Sequence, residues 1–276
     1  MSLYCASLNS GSNGNCYYVG NETEGILVDI GLTCRETEKR LKSAGIGLDK
    51  IKAIFVSHEH GDHIKGVEVF SKKNNIPVYI TAKTLKSSRL RLEEKLTVDL
   101  NPNSEILING LRIISFSKFH DAADPCSFLV KGNGISVGVF TDLGNVCSNL
   151  IKHFSQCHAA FLEANYDDSL LENGRYPYHL KKRIRGGEGH LSNVQAMELF
   201  QNHGGPFLKH LFLSHLSKEN NCPEIAKSLF ESFNHKTKIY IASRDCHSEL
   251  YHIRQINEDH QPAILNSLFS NQLKLF

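Results

Sequence analysis

The sequence predicts an α+β fold in which two β-sheets pack face to face and helices cover their outer sides. Signals for short strands and for amphipathic helices alternate along most of the 276 residues. The strand signals fall into two halves of the chain, and each half also carries helices, which favours two layers of sheet. The run IKAIFVS at 51–57 is apolar nearly throughout, as expected of a central strand that is buried on both faces.

The first half opens with a predicted meander. Two β-rich runs are separated by GSNGN, whose glycine and asparagine residues suit a tight turn. The third strand and the first helix each stop at a glycine, which is typical of element ends. The predicted elements of this half are strands at 4–10, 16–20, 25–31, 51–57 and 76–82, and helices at 35–47 and 65–75.

The second half begins with strands within 104–119 and a hairpin at 126–142 that turns at GNG. Further signals predict strands at 159–165, 210–215 and 238–243, the last of these being the final strand, and helices at 193–203 and 222–233. No repeat or linker interrupts the pattern. We therefore expect one domain over residues 1–253, and we assign no structure to the tail at 254–276.

Composition excludes several classes of protein. With 41% hydrophobic and 22% charged residues, the chain is not expected to be disordered. It has no apolar run of about 20 residues and no basic-then-apolar leader, so we predict a cytoplasmic protein without a membrane partner. The eight cysteines form no C-x-x-C pair, which indicates reduced thiols. A net charge of +2 does not by itself indicate nucleic acid, and the oligomeric state is not predictable.

The stretch SHEHGDH at 57–63 carries the strongest chemical signal. His58 and His60 are two apart, so on extended backbone their rings point to the same side, while Asp62 and His63 fall where the chain turns into a helix. Imidazole and carboxylate groups are ligands of zinc and other first-row divalent ions. The alternative is a histidine-rich surface turn. We interpret the stretch as a metal-binding motif.

This motif resembles the signature of the metallo-β-lactamase superfamily. Three further marks follow in the order typical of that superfamily, each at the end of a predicted strand: FHDAADP with His120, FTDLG with Asp142 and LSHLS with His215. The segments SLNSGSNGNCYYV, LVDIGL, LEANYD, GRYPYHLKKRIRGGEGHLSN and LSHLSKENN resemble more narrowly the YycJ/WalJ branch. The resemblance implies an αββα four-layer sandwich of two mixed sheets.

The resemblance also implies two metal ions and their ligands. One ion would be held by His58, His60 and His120, the other by Asp62, His63 and His215, and Asp142 would bridge both. Two such ions can share a water, lower its pKa towards 7 and provide a hydroxide nucleophile. Zinc, manganese and iron all suit this ligand set, with zinc placed first. Asp29 in LVDIG would support a ligand imidazole, although an aspartate there can also simply begin a turn.

Glu163 and His190 resemble a pair found in phosphodiesterases of the superfamily, ribonuclease Z among them. Together with Asp62 they are the candidate catalytic residues, with His190 contacting phosphate or protonating the leaving oxygen and Glu163 orienting it. The alternative is an ordinary loop histidine. Ser192 is a natural N-cap for a helix starting at Asn193, where a phosphate could also dock.

Two basic stretches are candidates for phosphate contacts, although charge runs are most often solvated surface. The stretch beside His190 contains Lys181, Lys182, Arg183 and Arg185. The second contains Lys83, Lys86, Arg89 and Arg91. A contact with the phosphate backbone would be independent of DNA sequence and would weaken with salt.

The function predicted from these residues is a dinuclear-metal phosphodiesterase, and the resemblance implies a DNA exonuclease. Asp142 stands where lactamases of the superfamily usually have cysteine, which argues against lactam hydrolysis. Only about twenty residues separate Asp142 from Glu163, which excludes the β-CASP insertion. The alternatives that remain are a small-molecule phosphodiesterase, a glyoxalase II-like thioesterase and a metal-binding module without turnover.

Overall fold

The computed structural model of the protein describes residues 2–233 and 236–255. Within these ranges the chain forms fourteen strands in two sheets of seven. The first sheet has the order β14-β1-β2-β3-β4-β5-β6, and the second has the order β13-β12-β11-β10-β9-β8-β7. The strands of the first sheet are β1 (Ser2–Asn9), β2 (Cys16–Gly20), β3 (Gly25–Val28), β4 (Ile51–Phe55), β5 (Val78–Ile80), β6 (Thr97–Asp99) and β14 (Tyr251–Arg254).

The second sheet mirrors the first in its organisation. Its strands are β7 (Glu105–Ile108), β8 (Leu111–Ser117), β9 (Cys126–Gly132), β10 (Ile135–Phe140), β11 (Ala159–Glu163), β12 (His210–Ser214) and β13 (Lys238–Ile241). From β14 in the first sheet and from β7 in the second, three antiparallel pairings are followed by three parallel pairings. The predicted fold of two mixed sheets flanked by helices is confirmed.

The two sheets meet through large aromatic side chains. Tyr17 on β2 lies 5.0 Å from Phe161 on β11, and Phe55 on β4 lies 5.6 Å from Phe128 on β9, measured between ring centroids. All four side chains are fully buried. Burying one such ring stabilises the fold by about 1.5–3 kcal/mol, so this layer holds the two halves together.

Helices cover the outer faces because the intervening residues of the same strands are also apolar. On β11, Ala160 and Leu162 point away from Phe161 and pack in a separate cluster with the helices. The helices are α1 (Cys34–Ser43), α2 (Gly61–Ile64), α3 (Val67–Asn74), α4 (Ala82–Ser87), α5 (Ser148–Phe154), α6 (Asp168–Asn173), α7 (Tyr178–Arg185), α8 (Asn193–His203) and α9 (Pro223–Glu231). None of the helices in the described ranges has both the length and the apolar character needed to cross a membrane.

Several short elements were not predicted. They are strands β6 and β14 and helices α4, α5, α6 and α7, each of three to eight residues. The expectation that 238–243 forms the last strand was wrong, because β14 follows it and pairs antiparallel with β1 at the sheet edge. A run as short as Tyr251–Arg254 has too little alternation to predict a strand. From residue 256 onward, the tail to which we assigned no structure lies outside the described residues.

Loops that follow β3, β4, β8, β10 and β12 converge on one edge of the sandwich. The loop after β3 packs closely on α2: the Gly31 amide donates to the Asn15 carbonyl at 2.8 Å, and the Asn15 amide donates to the Asp62 carbonyl at 2.7 Å. A Cβ atom at Gly31 would lie 1.7 Å from the Asp62 carbonyl oxygen. Only glycine therefore allows this approach of two backbones.

Gly31→Ala should lower the free energy of unfolding by about 1–3 kcal/mol or more, because the backbone of the Asp62 segment must move away from the new methyl group. Gly61→Ala is the matched control. A Cβ there meets no atom within 4 Å, and its unfolding free energy should stay within about 0.5 kcal/mol of the wild type. Denaturant unfolding measures both values, and equal stability of the two variants would contradict the packing described here.

Candidate metal centre

Three imidazoles from two loops meet at the edge where these loops converge. His60 Nδ1 lies 3.1 Å from His58 Nε2 and 3.3 Å from His120 Nε2. His120 Nδ1 lies 3.0 Å from the Gly189 carbonyl, which can only accept, so this nitrogen carries the proton and leaves Nε2 with a free lone pair. Three nitrogen lone pairs in this arrangement fit one divalent ion.

Burial keeps two of these imidazoles neutral. Desolvation lowers the pKa of His120 to about 2, and it holds the pKa of His58 well below its usual value. The His58 Nδ1 is 2.9 Å from the Ser57 hydroxyl. A neutral imidazole is the form that binds metal, so His58 and His120 are in the protonation state that a divalent cation requires.

Asp142 lies in the middle of the cluster, and its two oxygens face different groups. Oδ2 is 3.1 Å from His63 Nε2 and 3.0 Å from His215 Nδ1, while Oδ1 is 3.8 Å from His120 Nε2. Burial alone would raise the pKa of Asp142, but His215 and His63 outweigh it and hold the pKa well below its usual value. The carboxylate is therefore ionised and within reach of both sets of histidines.

Asp62 contacts the cluster from its more open side. Its Oδ2 is 3.6 Å from His63 Nε2 and 3.9 Å from His215 Nε2, and its side chain is 23% exposed, whereas that of Asp142 is 2% exposed. The structure brings all seven predicted ligands to one place. The more compact sets that could hold an ion are His58 with His60 and His120, His58 with His63 and Asp142, and Asp142 with Glu163, His190 and His215.

Asp29 lies directly behind His63. Its Oδ2 is 2.7 Å from His63 Nδ1 and accepts the Ser57 hydroxyl at 2.7 Å, and its Oδ1 accepts the Ser57 amide at 2.7 Å. Burial alone would lower the pKa of His63, but Asp142, Asp29 and Asp62 outweigh it and raise the pKa well above its usual value. This contact fixes which His63 nitrogen faces the cluster.

Glu163, which is buried, and His190, which is partly buried, form a pair beside Asp142. His190 Nδ1 lies 2.8 Å from Glu163 Oε1, and Glu163 Oε2 accepts the amides of Leu143 at 2.6 Å and Leu191 at 3.2 Å. Burial alone would lower the pKa of His190, but Glu163 and Asp142 outweigh it and raise the pKa. The imidazole is held by its Nδ1, so its Nε2 is the atom available to a substrate.

Two residues of the site were not found from the sequence. Asn15 Nδ2 lies 3.2 Å from Asp62 Oδ2 and 3.0 Å from His63 Nε2, although we had interpreted GSNGN only as a turn. Lys118 is 7% exposed and donates to the Thr141 carbonyl at 2.6 Å, directly before Asp142. Asn15 belongs to a segment that carried the family resemblance, and Lys118 stands two residues before His120 in the sequence.

Two of the four cations in the basic stretch on α7 are compensated by carboxylates. Arg183 pairs with Asp121 and Arg185 pairs with Glu172, each at 2.5 Å. Lys181 donates to the Glu172 carbonyl, whereas Lys182 forms no ion pair with the described residues. Ser192 is the N-cap of α8, as predicted, and it forms a capping box with Gln195, so its hydroxyl is committed to the helix N-terminus. Contacts of these residues with phosphate stay a prediction.

The second basic stretch lies on α4 and the loop after it. Its four cations are exposed and form no ion pair with a carboxylate among the described residues: Lys83, Lys86, Arg89 and Arg91. Helix α4 touches the loop that follows His120, because the Thr84 hydroxyl lies 3.4 Å from the Asp124 carbonyl. These uncompensated charges therefore border the loop that carries one of the cluster histidines.

Two sheets sandwiched between helices, with a histidine and aspartate cluster at one edge, define a metal-dependent hydrolase of the metallo-β-lactamase class. Residues 10–118 match the family model described as the metallo-β-lactamase superfamily. The chain belongs to this superfamily and, within it, to the YycJ/WalJ family, as its sequence relatives show.

The relatives cover most of the chain. It is 33% identical over 235 residues to exodeoxyribonuclease YycJ of Bacillus anthracis, and the aligned region covers 82% of this chain and 87% of that protein. It is 31% identical over 226 residues to exodeoxyribonuclease WalJ of Streptococcus pneumoniae, and the aligned region covers 79% of this chain and 83% of that protein. The crystal structure of the metallo-β-lactamase fold protein YhfI from Bacillus subtilis has a TM-score of 0.69 at 15% identity and covers 90% of this chain and 99% of that one, which supports the fold.

Asp29→Asn should weaken metal binding by about 10- to 100-fold, because the amide cannot hold the protonated His63 Nδ1 with a full negative charge. Asparagine tolerates the left-handed backbone of this position, where φ is 60°, so the fold should be retained. Competition with a chelator measures the affinity. Asp49→Asn, at an exposed aspartate beyond the opposite end of β4, is the control, and equal affinities of the two variants would contradict this role of Asp29.

Proposed function

We propose that the protein is a dinuclear-metal-dependent phosphodiesterase that removes nucleotides from an end of DNA. The observation that carries the proposal is the Glu163–His190 pair beside the cluster of histidine and aspartate residues. The metal ligands account for the activation of water, which any metal-dependent hydrolase needs. Cleavage of a phosphodiester is also helped by a cation or an acid at the phosphate and the leaving oxygen, and His190 can supply it. The exodeoxyribonuclease relatives supply the substrate class.

The proposed ligand sets follow the geometry of the cluster. His58, His60 and His120 would hold one ion, and Asp62, His63 and His215 would hold the other. Asp142 would contact both, because its Oδ1 faces His120 and its Oδ2 faces His63 and His215. Two bound divalent ions would supply charge neutralisation of the phosphate and activation of a water molecule for attack. Zinc is our first proposal, and manganese and iron suit the same groups.

The side chains around the ions divide the remaining work. Asp62 is the proposed catalytic carboxylate, because of the two carboxylates in the cluster it is the one open to solvent and to an incoming water. Glu163 orients His190 through Nδ1, and both of its oxygens are occupied by donors, so it is fixed in position. The Nε2 of His190 then contacts the phosphate or donates a proton to the leaving oxygen.

DNA is favoured as the substrate by the charge pattern as well as by the relatives. The uncompensated cations on α4 and Lys182 on α7 provide positive charge for a phosphate backbone on elements that border the site. Such contacts give affinity without sequence preference.

We further propose that the protein acts in the cytoplasm.

Protein with measured metal content should shorten end-labelled DNA progressively from one end, because the site combines metal ligands with a phosphate-contacting histidine. The reaction should stop with a chelator, and Asp142→Ala should lose both bound metal and activity, since this carboxylate faces both sets of ligands. The assay includes single- and double-stranded DNA, bis-p-nitrophenyl phosphate and a glutathione thioester. Hydrolysis of the small diester alone would indicate a small-molecule phosphodiesterase, and hydrolysis of the thioester alone would refute the assignment of His190.

His190→Ala should retain the metals and slow hydrolysis of bis-p-nitrophenyl phosphate roughly 100-fold or more, the scale of a positioned acid or base. Glu163→Gln should lower the rate in the same direction, because it weakens the hold on His190 Nδ1. The control is His203→Ala at the distant end of α8. A wild-type rate in His190→Ala would show that His190 is an ordinary loop histidine without a catalytic role.

A further inference from the structure

A cavity lies beside the metal centre, outside the residues described so far. Its volume is about 270 Å³, and it is lined by Ser10, by residues within 216–223 that follow His215, and by residues 241–245 at the end of β13 and after it. Ser10 lines the cavity, and its hydroxyl accepts the His215 amide at 2.8 Å. Leu216, the residue after His215, lines it as well. The cavity therefore begins at the backbone of a proposed metal ligand.

The walls of the cavity combine apolar surface with two cations. Leu216, Pro223 and Ile241 form an apolar wall, while Lys218 and Arg244 contribute positive charge. Neither cation forms an ion pair with a carboxylate among residues 2–233 and 236–255. Since one carboxylate, Asp245, also lines the cavity, its three charged groups carry a net charge of about +1.

The guanidinium of Arg244 is held in position but does not use all of its hydrogen-bond donors. Its Nη1 lies 3.5 Å from the Leu216 carbonyl and its Nη2 lies 3.5 Å from the Ser12 hydroxyl, both at the long limit of a hydrogen bond. Its own carbonyl accepts the Asn13 side-chain amide at 2.7 Å, which ties the segment to the turn at 10–15. A guanidinium has five N–H donors and binds phosphate with two of them in parallel, so Arg244 retains donors for an anion.

We propose that this cavity binds the nucleotide next to the cleaved bond, with Arg244 and Lys218 holding its phosphate and the apolar wall contacting its sugar or base. The inference rests on the proposed function and deepens it. An enzyme that acts only at the metal centre would treat every phosphodiester alike. A second phosphate site beside the centre selects a polynucleotide over a diester with one phosphate.

The test compares Arg244→Ala and Lys218→Ala with the wild type on two probes: an oligodeoxynucleotide and bis-p-nitrophenyl phosphate, which has a single phosphate. The ratio of kcat/KM for DNA to kcat/KM for the small diester should fall about tenfold in each variant, the scale of a lost hydrogen bond to a charged group. Lys218 is exposed and should be replaceable without loss of folding, which keeps the test valid if Arg244→Ala unfolds. Lys42→Ala, at an exposed lysine in the last turn of α1, is the charge-matched control and should keep the wild-type ratio.

Fluorescence anisotropy with a labelled oligodeoxynucleotide provides a second readout that does not depend on turnover. Arg244→Ala should weaken binding and reduce the salt dependence by about one phosphate contact, and Asp245→Asn should strengthen binding because it removes a negative charge from the cavity. If affinity and the kcat/KM ratio of both cation variants equal those of Lys42→Ala, the cavity proposal is overturned. Failure of the wild type to cleave any diester would instead refute the proposed function, and the anisotropy data would still decide on the cavity.

Discussion

The site depends on an uncommon backbone conformation at the ends of three strands. Asp29 after β3, Asp142 after β10 and His215 after β12 have φ values of 60°, 53° and 54°. The other non-glycine residues with positive φ in the described ranges are all asparagines in turns. Aspartate and histidine tolerate the left-handed region better than most residues, although it still costs about 1–3 kcal/mol for each. At these positions the three side chains lie around His63 and Asp142: Asp29 contacts His63 Nδ1, Asp142 contacts His63 Nε2, and His215 contacts Asp142.

Hydrogen bonds hold these residues in place. The Asp29 amide donates to the Phe55 carbonyl at 2.9 Å, and the Asp29 carboxylate accepts both the amide and the hydroxyl of Ser57. The His215 amide donates to Ser10, and Lys118 bonds the carbonyl directly before Asp142. The aromatic layer between the sheets fixes the strands from which these turns emerge. The rigid strands and the hydrogen-bonded turns together hold the carboxylates and imidazoles of the site in position in the absence of a ligand.

The sequence predicted the fold from the alternation of strand and helix signals, and it predicted the first part of the cluster from SHEHGDH, whose imidazole and carboxylate groups follow an apolar strand. The other ligands, in FHDAADP, FTDLG and LSHLS, were implied by the family resemblance, and the strands that precede them lie in the second sheet, opposite the strand that precedes SHEHGDH. Contacts between distant segments were not predictable in the same way. Asn15 and His63 are 48 positions apart, and their contact depends on the packing of Gly31 against the Asp62 segment. The salt bridges of Arg183 and Arg185 were equally hidden, because a run of charges does not show which carboxylates lie opposite it.

We propose that the cluster holds two ions through seven side chains and that Glu163 and His190 act beside them without binding metal. Anomalous diffraction from crystals of the purified protein, recorded at the absorption edge of the metal found in it, counts the ions and locates each one. We expect two peaks close to Asp142, one contacting His58, His60 and His120 and the other contacting Asp62, His63 and His215. A single peak, or an ion bound by Glu163 and His190, would show that the proposed ligand sets are wrong.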